Sequence, residues 1–177
     1  MKTKLRISIL LILFTMPAII SSCNSVRHKS IASINSTELK NAFDGGSPQV
    51  VYLGFEECPW CIEALPILEK AAQSTGVSVS SFDTRHENNI EYYETVKGKI
   101  CVQFDLDYLF VPCVIAIDVN GQIDDIYMGT VDAHNAIENK MTEEQARILE
   151  TTYITLLSNW REKNCKNTEK LYMLSGA

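Results

Sequence analysis

Two cysteines separated by two residues, Cys58-Pro59-Trp60-Cys61, are the residues of this chain best placed by type and spacing to do chemistry. They follow an apolar run, Val50-Val51-Tyr52-Leu53-Gly54-Phe55, and precede apolar positions at helical spacing, so the first thiol falls at a helix N-terminus. There the unpaired N–H groups and the helix dipole favour the thiolate, the species that attacks a disulfide. Cysteines of helix-start CxxC motifs titrate at roughly 3.5–7.5, against about 8.5 for a free thiol. Two intervening residues let the second sulfur close on the first and release a mixed disulfide. Pro59 in the first helical turn loses no needed hydrogen bond. The same spacing is also half of a zinc site. Cys101, Cys113 and Cys165 are scattered, however, and His28, His86 and His134 pair with nothing at ligand spacing. Redox chemistry with no metal and no cofactor is the expectation, and metal delivery by the pair is the lesser alternative.

The elements that must position this pair read as an α/β domain. Ile31 and Ile34 mark a short first strand, and Ser36 or Thr37 caps a brief helix through Phe43 before Asp44-Gly45-Gly46-Ser47-Pro48 breaks it. Val50–Phe55, with β-branched residues and no polar alternation, suits a strand buried on both faces. Ile62, Leu65, Leu68 and Ala72 form a helical stripe that Gly76 stops. Val77–Phe82 is the next strand, and Asn88–Phe104 a helix with Ile90, Tyr93, Ile100 and Phe104 on one side and Gly98 weakening its continuity. Val111–Asp118 and Gln122–Met128 flank the hairpin signal Asn120-Gly121. Thr142-Glu143-Glu144-Gln145 matches a capping box ahead of a stripe from Ala146 to Trp160. The order β-α-β-α-β-α-β-β-α predicts helices flanking a central mixed sheet in three layers.

Composition narrows the rest. A chain of 177 residues can build one domain with its own core, so its six cysteines need not be the staples of a miniprotein. With 16 basic against 22 acidic residues, the net charge of −6 argues against a nucleic-acid grip. Lys2, Lys4 and Arg6 lead into an uncharged run from Ile7 to Ile20, and 14 residues is short of the ~20 that a spanning helix needs. This is the pattern of a secretory signal, with an uncleaved anchor as the alternative. Ile20-Ser21-Ser22-Cys23 resembles the lipobox of bacterial lipoproteins, which implies acylation of Cys23 at the mature amino terminus and a location in the bacterial cell envelope. The expected layout is a leader over 1–22, a tether over 23–30, one domain over 31–163 and a tail over 164–177. Without the leader, 13 basic residues face 22 acidic ones, and the net charge deepens to −9. Anionic lipid would repel such a domain, so the anchor alone would hold it to the membrane.

The segment from Val50 to Ala72 resembles the thioredoxin-like proteins. Tyr52-Leu53-Gly54 leading into Cys-Pro-Trp-Cys is similar to their bacteriocin-transport-accessory branch. Pro66, five residues after Cys61, stands where helices of that superfamily carry a kinking proline. Val111-Pro112 matches the position of its cis-proline, and Gly129 that of a glycine kept close to the active site. The resemblance covers roughly residues 31–163. It implies a thioredoxin-like disulfide oxidoreductase with Cys58 attacking and Cys61 resolving, and Trp60 as an apolar contact. Val111, held by a cis Pro112, would pair with an extended substrate segment. The implied partners are protein disulfide or dithiol substrates and a redox partner protein.

Three departures qualify the pattern. Thioredoxins proper keep a buried carboxylate six residues before the first cysteine, and Tyr52 stands there, a poor base at neutral pH. Glu56, Glu57 or Glu63 must reach in if a carboxylate does that work; otherwise all three are solvated surface charges. Glu56 and Glu57 beside Cys58 oppose the thiolate and so favour a reductase or isomerase over a strong oxidant. Cys113 directly after Pro112 is either a third thiol near the pair or, as buried cysteines usually are, a packing residue. The alternative to an enzyme is a thioredoxin-like accessory module whose cysteine pair is structural or idle.

Overall fold

The computed structural model describes residues 30–45 and 47–175, with side chains as far as residue 164. The leader, Cys23, most of the tether and the Cys165 side chain lie outside the described residues. The elements run β1 (Ile31–Ile34), α1 (Ser36–Phe43), β2 (Gln49–Gly54), α2 (Pro59–Thr75), β3 (Val79–Asp83), α3 (Ile90–Phe104), β4 (Cys113–Ile117), β5 (Ile123–Met128) and α4 (Glu143–Ser175). That is the order expected from the sequence. The strands form one sheet, β1-β3-β2-β4-β5. β1 and β2 both run parallel to β3, while β4 is antiparallel to β2 and to β5.

Because side chains alternate across a strand, neighbouring residues of β2 and β4 serve opposite faces of this sheet. Val50, Tyr52, Val114 and Ala116 pack with α2 and α4, including Leu68, Leu149, Tyr153 and Leu157. Val51, Leu53, Cys113, Ile115 and Ile117 pack with Leu39 of α1 and with Val96 and Ile100 of α3. Full burial of each such aliphatic side chain contributes about 1.5–3 kcal/mol. This two-sided core explains why the central strands carry no polar alternation in the sequence.

The caps hold the helices in place. Asn35, not Ser36 or Thr37, caps α1: its side chain accepts from the N–H groups of Thr37 and Glu38, and Glu38 returns a bond to the Asn35 N–H. The capping box at Thr142 forms as expected, with Gln145 N–H donating to Thr142 Oγ1 at 3.2 Å and Thr142 N–H to Gln145 Oε1 at 2.9 Å. Gly98 does not interrupt α3, where an added Cβ would meet open space. α4 continues through residues 164–175, the stretch read as a tail.

Two stripes depart from expectation at their first residue, while Leu65, Leu68 and Ala72 of one and Tyr93, Ile100 and Phe104 of the other are in the core or packed against it. The buried side of α2 is Cys61, Ala64, Leu68, Ala71, Ala72 and Thr75, whereas Ile62 is 60% exposed. Small residues face inward because α2 packs against both the sheet and its neighbour α4, and the larger Ile62 is left outside. On α3, Val96 and Ile100 are the buried pair and Ile90 is exposed.

Candidate functional site

The strand β2 delivers the chain to the start of α2, and the turn between them places both cysteines. Cys58 is the N-cap of α2, in extended backbone with φ −75° and ψ 116°, and Pro59 occupies the first turn. The Cys58 Sγ accepts a hydrogen bond from the Cys61 N–H at 3.2 Å, satisfying one of the orphan donors of the helix start. Such a bond strengthens when the acceptor becomes an anion. Both thiols are free, and the residues are only 2% and 3% exposed.

The thiol of Cys61 is tuned upward. Burial pushes the Cys61 thiol from its ordinary value to about 12, and its hydrogen bond with Cys58 adds to the rise. Hydrogen bonds from the Phe55 backbone and the Tyr52 hydroxyl pull partly the other way. Tyr52, at the place where a carboxylate was sought, is 3% exposed and donates to the Cys61 carbonyl at 3.4 Å. Burial first, then the charge of the neighbouring thiol, raises the phenol far above its usual range, so it stays protonated and serves as a donor. Its ring lies so close over Gly54 that a Cβ there would stand 2.7 Å from it. Tyr52 and Gly54 thus pack as one unit, in which the glycine makes room for the phenol. A cavity of about 320 Å³ opens beside it, lined by Tyr52, Gly54, Phe55, Cys61, Ile62 and Leu65 among others.

The other positions singled out from the sequence converge on this point, with two exceptions. The Val111–Pro112 peptide bond is cis, and the Val111 carbonyl lies 4.0 Å from Cys58 Sγ. Gly129 has φ +76°, and its N–H donates to the Pro112 carbonyl at 2.7 Å, so the end of β5 meets the start of β4. That backbone conformation is what requires glycine there, because an added Cβ would meet nothing within 4 Å. Trp60 is half-buried, its Nε1 donating to the His134 carbonyl at 3.4 Å. Cys113 is the first exception. It faces the α1–α3 side of the sheet with Leu53, away from Cys58 and Cys61, so it does not join the pair as a third thiol. Burial raises its thiol strongly, as suits a packing residue. Glu57 is the second: like Glu56, it is exposed at the surface.

Glu63, one of the three carboxylates considered, is not a solvated surface charge. Its carboxylate accepts from the Met141 N–H at 2.6 Å and lies 3.5 Å from Nε2 of His134, whose side chain is 2% exposed. His134 Nδ1 pairs with Thr130 Oγ1 at 2.9 Å. These contacts tie the segment between β5 and α4 to the first turns of α2 and hold the carbonyl that receives the Trp60 indole. Glu63 and His134 are 71 positions apart in the chain, and no pattern in the sequence joins them. Among the described residues, no three metal-ligating side chains converge.

No protein-family model matches the chain. No curated protein sequence matches it either. Among solved structures it is similar to a thioredoxin from Trypanosoma brucei brucei, at 19% identity and TM-score 0.42, over 59% of this chain and 82% of that one. It is similar also to thioredoxin O2 from Arabidopsis thaliana in its oxidized state, at 17% identity and TM-score 0.44, over 71% and 96%. A third is a thioredoxin of Malassezia sympodialis, at 16% identity and TM-score 0.42, over 72% and 93%. The thioredoxin-like fold is read from the chain itself: its strand order, with a close cysteine pair at the β2–α2 junction facing the segment before β4.

Proposed function

We propose that this protein is a thiol–disulfide oxidoreductase, exported and lipid-anchored through Cys23 in a bacterial cell envelope, with Cys58 attacking and Cys61 resolving. The observation that carries the redox reading is the placement of Cys58 Sγ. It caps α2 within 3.2 Å of the Cys61 N–H and 4.0 Å from the Val111 carbonyl. The Cys58 thiolate attacks one sulfur of a client disulfide. That S–S bond breaks, a mixed disulfide forms, and the departing client thiolate takes a proton from solvent. The Cys61 thiol then loses its proton and attacks Cys58 Sγ, forming the Cys58–Cys61 disulfide and releasing the second client thiol. Two electrons pass to the client, and a dithiol partner protein restores the reduced pair. In this reading the Val111 main chain pairs with an extended client segment, and Trp60 offers an apolar wall.

The exposed Glu56 and Glu57 beside the dithiol support a reductase or isomerase rather than a strong oxidant. The high Cys61 thiol lengthens the life of a mixed disulfide, which suits isomerisation, because the client has time to rearrange. The same feature favours a second reading, an accessory module that binds clients without turning them over. A protein-disulfide reduction assay separates the two. The enzyme reading expects wild-type turnover that Cys58→Ser abolishes; no wild-type turnover, or turnover indifferent to Cys58→Ser, supports the module instead.

A further inference from the structure

The segment that leads into β4 displays two large aromatic side chains to solvent. Asp105 closes α3 in a left-handed conformation, and the Leu106 N–H then donates to the Cys101 carbonyl at 2.9 Å. Leu106 and Leu109 turn into the core with α3 and β4. Tyr108 and Phe110 consequently face outward, 58% and 56% exposed. Their rings meet edge to face with centroids 4.5 Å apart, so each fixes the other. Phe110 immediately precedes Val111, whose carbonyl faces Cys58 Sγ. The aromatic pair therefore adjoins, in the chain, the residue with which a client segment would pair.

Burial of the thiol gives this pair a task. With Cys58 only 2% exposed, the sulfur offers almost no surface to an approaching molecule, and affinity must come from its surroundings. The charges there have one dominant sign. Glu56 and Glu57 precede Cys58, and Asp105 and Asp107 flank Leu106 at the start of the aromatic segment, all of them exposed. One basic group, Arg85, is laid over the ring of Phe55, three residues before Cys58, at 3.6 Å from the centroid.

We infer that Tyr108 and Phe110 form a recognition platform for client polypeptides whose disulfide cysteine lies close to an aromatic or large aliphatic residue and to basic residues. This rests on the oxidoreductase reading and adds the class of client. The apolar client side chain covers the exposed rings, and its basic neighbours meet the acidic rim. Covering part of two half-exposed rings corresponds to about a tenfold gain in affinity.

The test uses synthetic disulfide-linked peptides carrying Phe or Ala two residues before the cysteine, each in Lys-flanked and Glu-flanked forms. Their kcat/KM values are compared within each protein, so that any general loss cancels. Wild type is expected to favour Phe over Ala by about tenfold and Lys over Glu by a smaller factor, both preferences residing in KM. The Tyr108→Ser/Phe110→Ser variant should bring the Phe/Ala ratio to about one, and Tyr108→Phe/Phe110→Tyr should keep it. Raised salt should erode the Lys preference while sparing the Phe preference. Equal rates on all peptides in wild type, or a preference that survives the double serine variant, overturn the platform while leaving the oxidoreductase reading intact. A wild-type dimer that the double serine variant dissolves in sedimentation also overturns it, because the rings then serve a second copy of the chain. Failure of wild type to reduce either these peptides or 2-hydroxyethyl disulfide overturns the oxidoreductase reading, and the platform with it.

Discussion

Tyr52 and Leu53 are neighbours in β2, yet they open onto different chemistry. Tyr52 lies on the α2–α4 side with Cys58 and Cys61, and Leu53 on the α1–α3 side with Cys113. Burial alone does not separate the cysteines of the two faces: Cys58, Cys61 and Cys113 are all almost inaccessible. The difference is in what surrounds the sulfurs. On the first face a helix start presents an N–H to Cys58, a phenol reaches Cys61, and a strand-leading carbonyl lies alongside. On the second, Cys113 sits among Leu53, Ile115 and Ile100, and its thiol is raised by burial alone. In the proposed function a cysteine becomes chemical through polar neighbours, not through exposure.

The largest effect expected from this contrast is on turnover. Cys58→Ser should abolish reduction of a protein disulfide, whereas Cys113→Ala should leave turnover within about twofold and cost about 1 kcal/mol in urea unfolding, as loss of one buried atom does. A Cys113→Ala variant as inactive as Cys58→Ser would erase the distinction between the faces.

Next in size is the pH dependence of the Cys61 step. Burial, the largest cause of the raised Cys61 thiol, persists in a mixed disulfide, so release of client should accelerate steadily, by up to about tenfold for each pH unit, as pH rises from about 7 to 9. Stopped-flow release from a preformed adduct would register it, and a flat profile would show that Cys61 does not limit the step. Linkage adds a second sign. The folded thiol titrates above its ordinary value of 9.0, so its contribution to stability is complete below about pH 9 and is lost as pH rises through 12. Melting of the reduced wild type should therefore fall more steeply above pH 9 than melting of Cys61→Ala.

A packing test follows. Gly54→Ala would bring a Cβ to 2.7 Å from the Tyr52 ring and should cost about 1–3 kcal/mol. Much of that cost should disappear in a Tyr52→Val background, measured as a double-mutant cycle of unfolding free energies. Additive costs would mean that the phenol does not occupy the room Gly54 leaves. The smallest expected effect is electrostatic. Glu56→Gln/Glu57→Gln removes two exposed charges near Cys58 and should raise the dithiol potential by only about 5–15 mV, since solvent screens them. Equilibration with glutathione would detect it; a fall in potential would reverse the direction argued for these carboxylates.

Much of the site was legible in the sequence because its parts are local. The cysteine spacing, the strand before it and the helix after it lie within one stretch of chain, and Pro112 and Gly129 each mark a backbone requirement. What the sequence could not convey was phase and distance. Cys113–Ile117 is buried on both sides, so no alternation shows which face Cys113 takes. Ile62 opens the α2 stripe in the sequence because it is the larger hydrophobe, while close packing selects Cys61 and Ala64. The contact of Glu63 with His134 joins segments that only the fold brings together.

The central claim is that Cys58 alone among these thiols makes the first bond to a client. It is tested most directly by incubating the Cys61→Ser variant with an oxidised client protein and mapping the adduct by non-reducing peptide mass spectrometry. A stable one-to-one mixed disulfide located on Cys58, with Cys101 and Cys113 unmodified, is the predicted result. No adduct, or an adduct on Cys113 or Cys101, would contradict it.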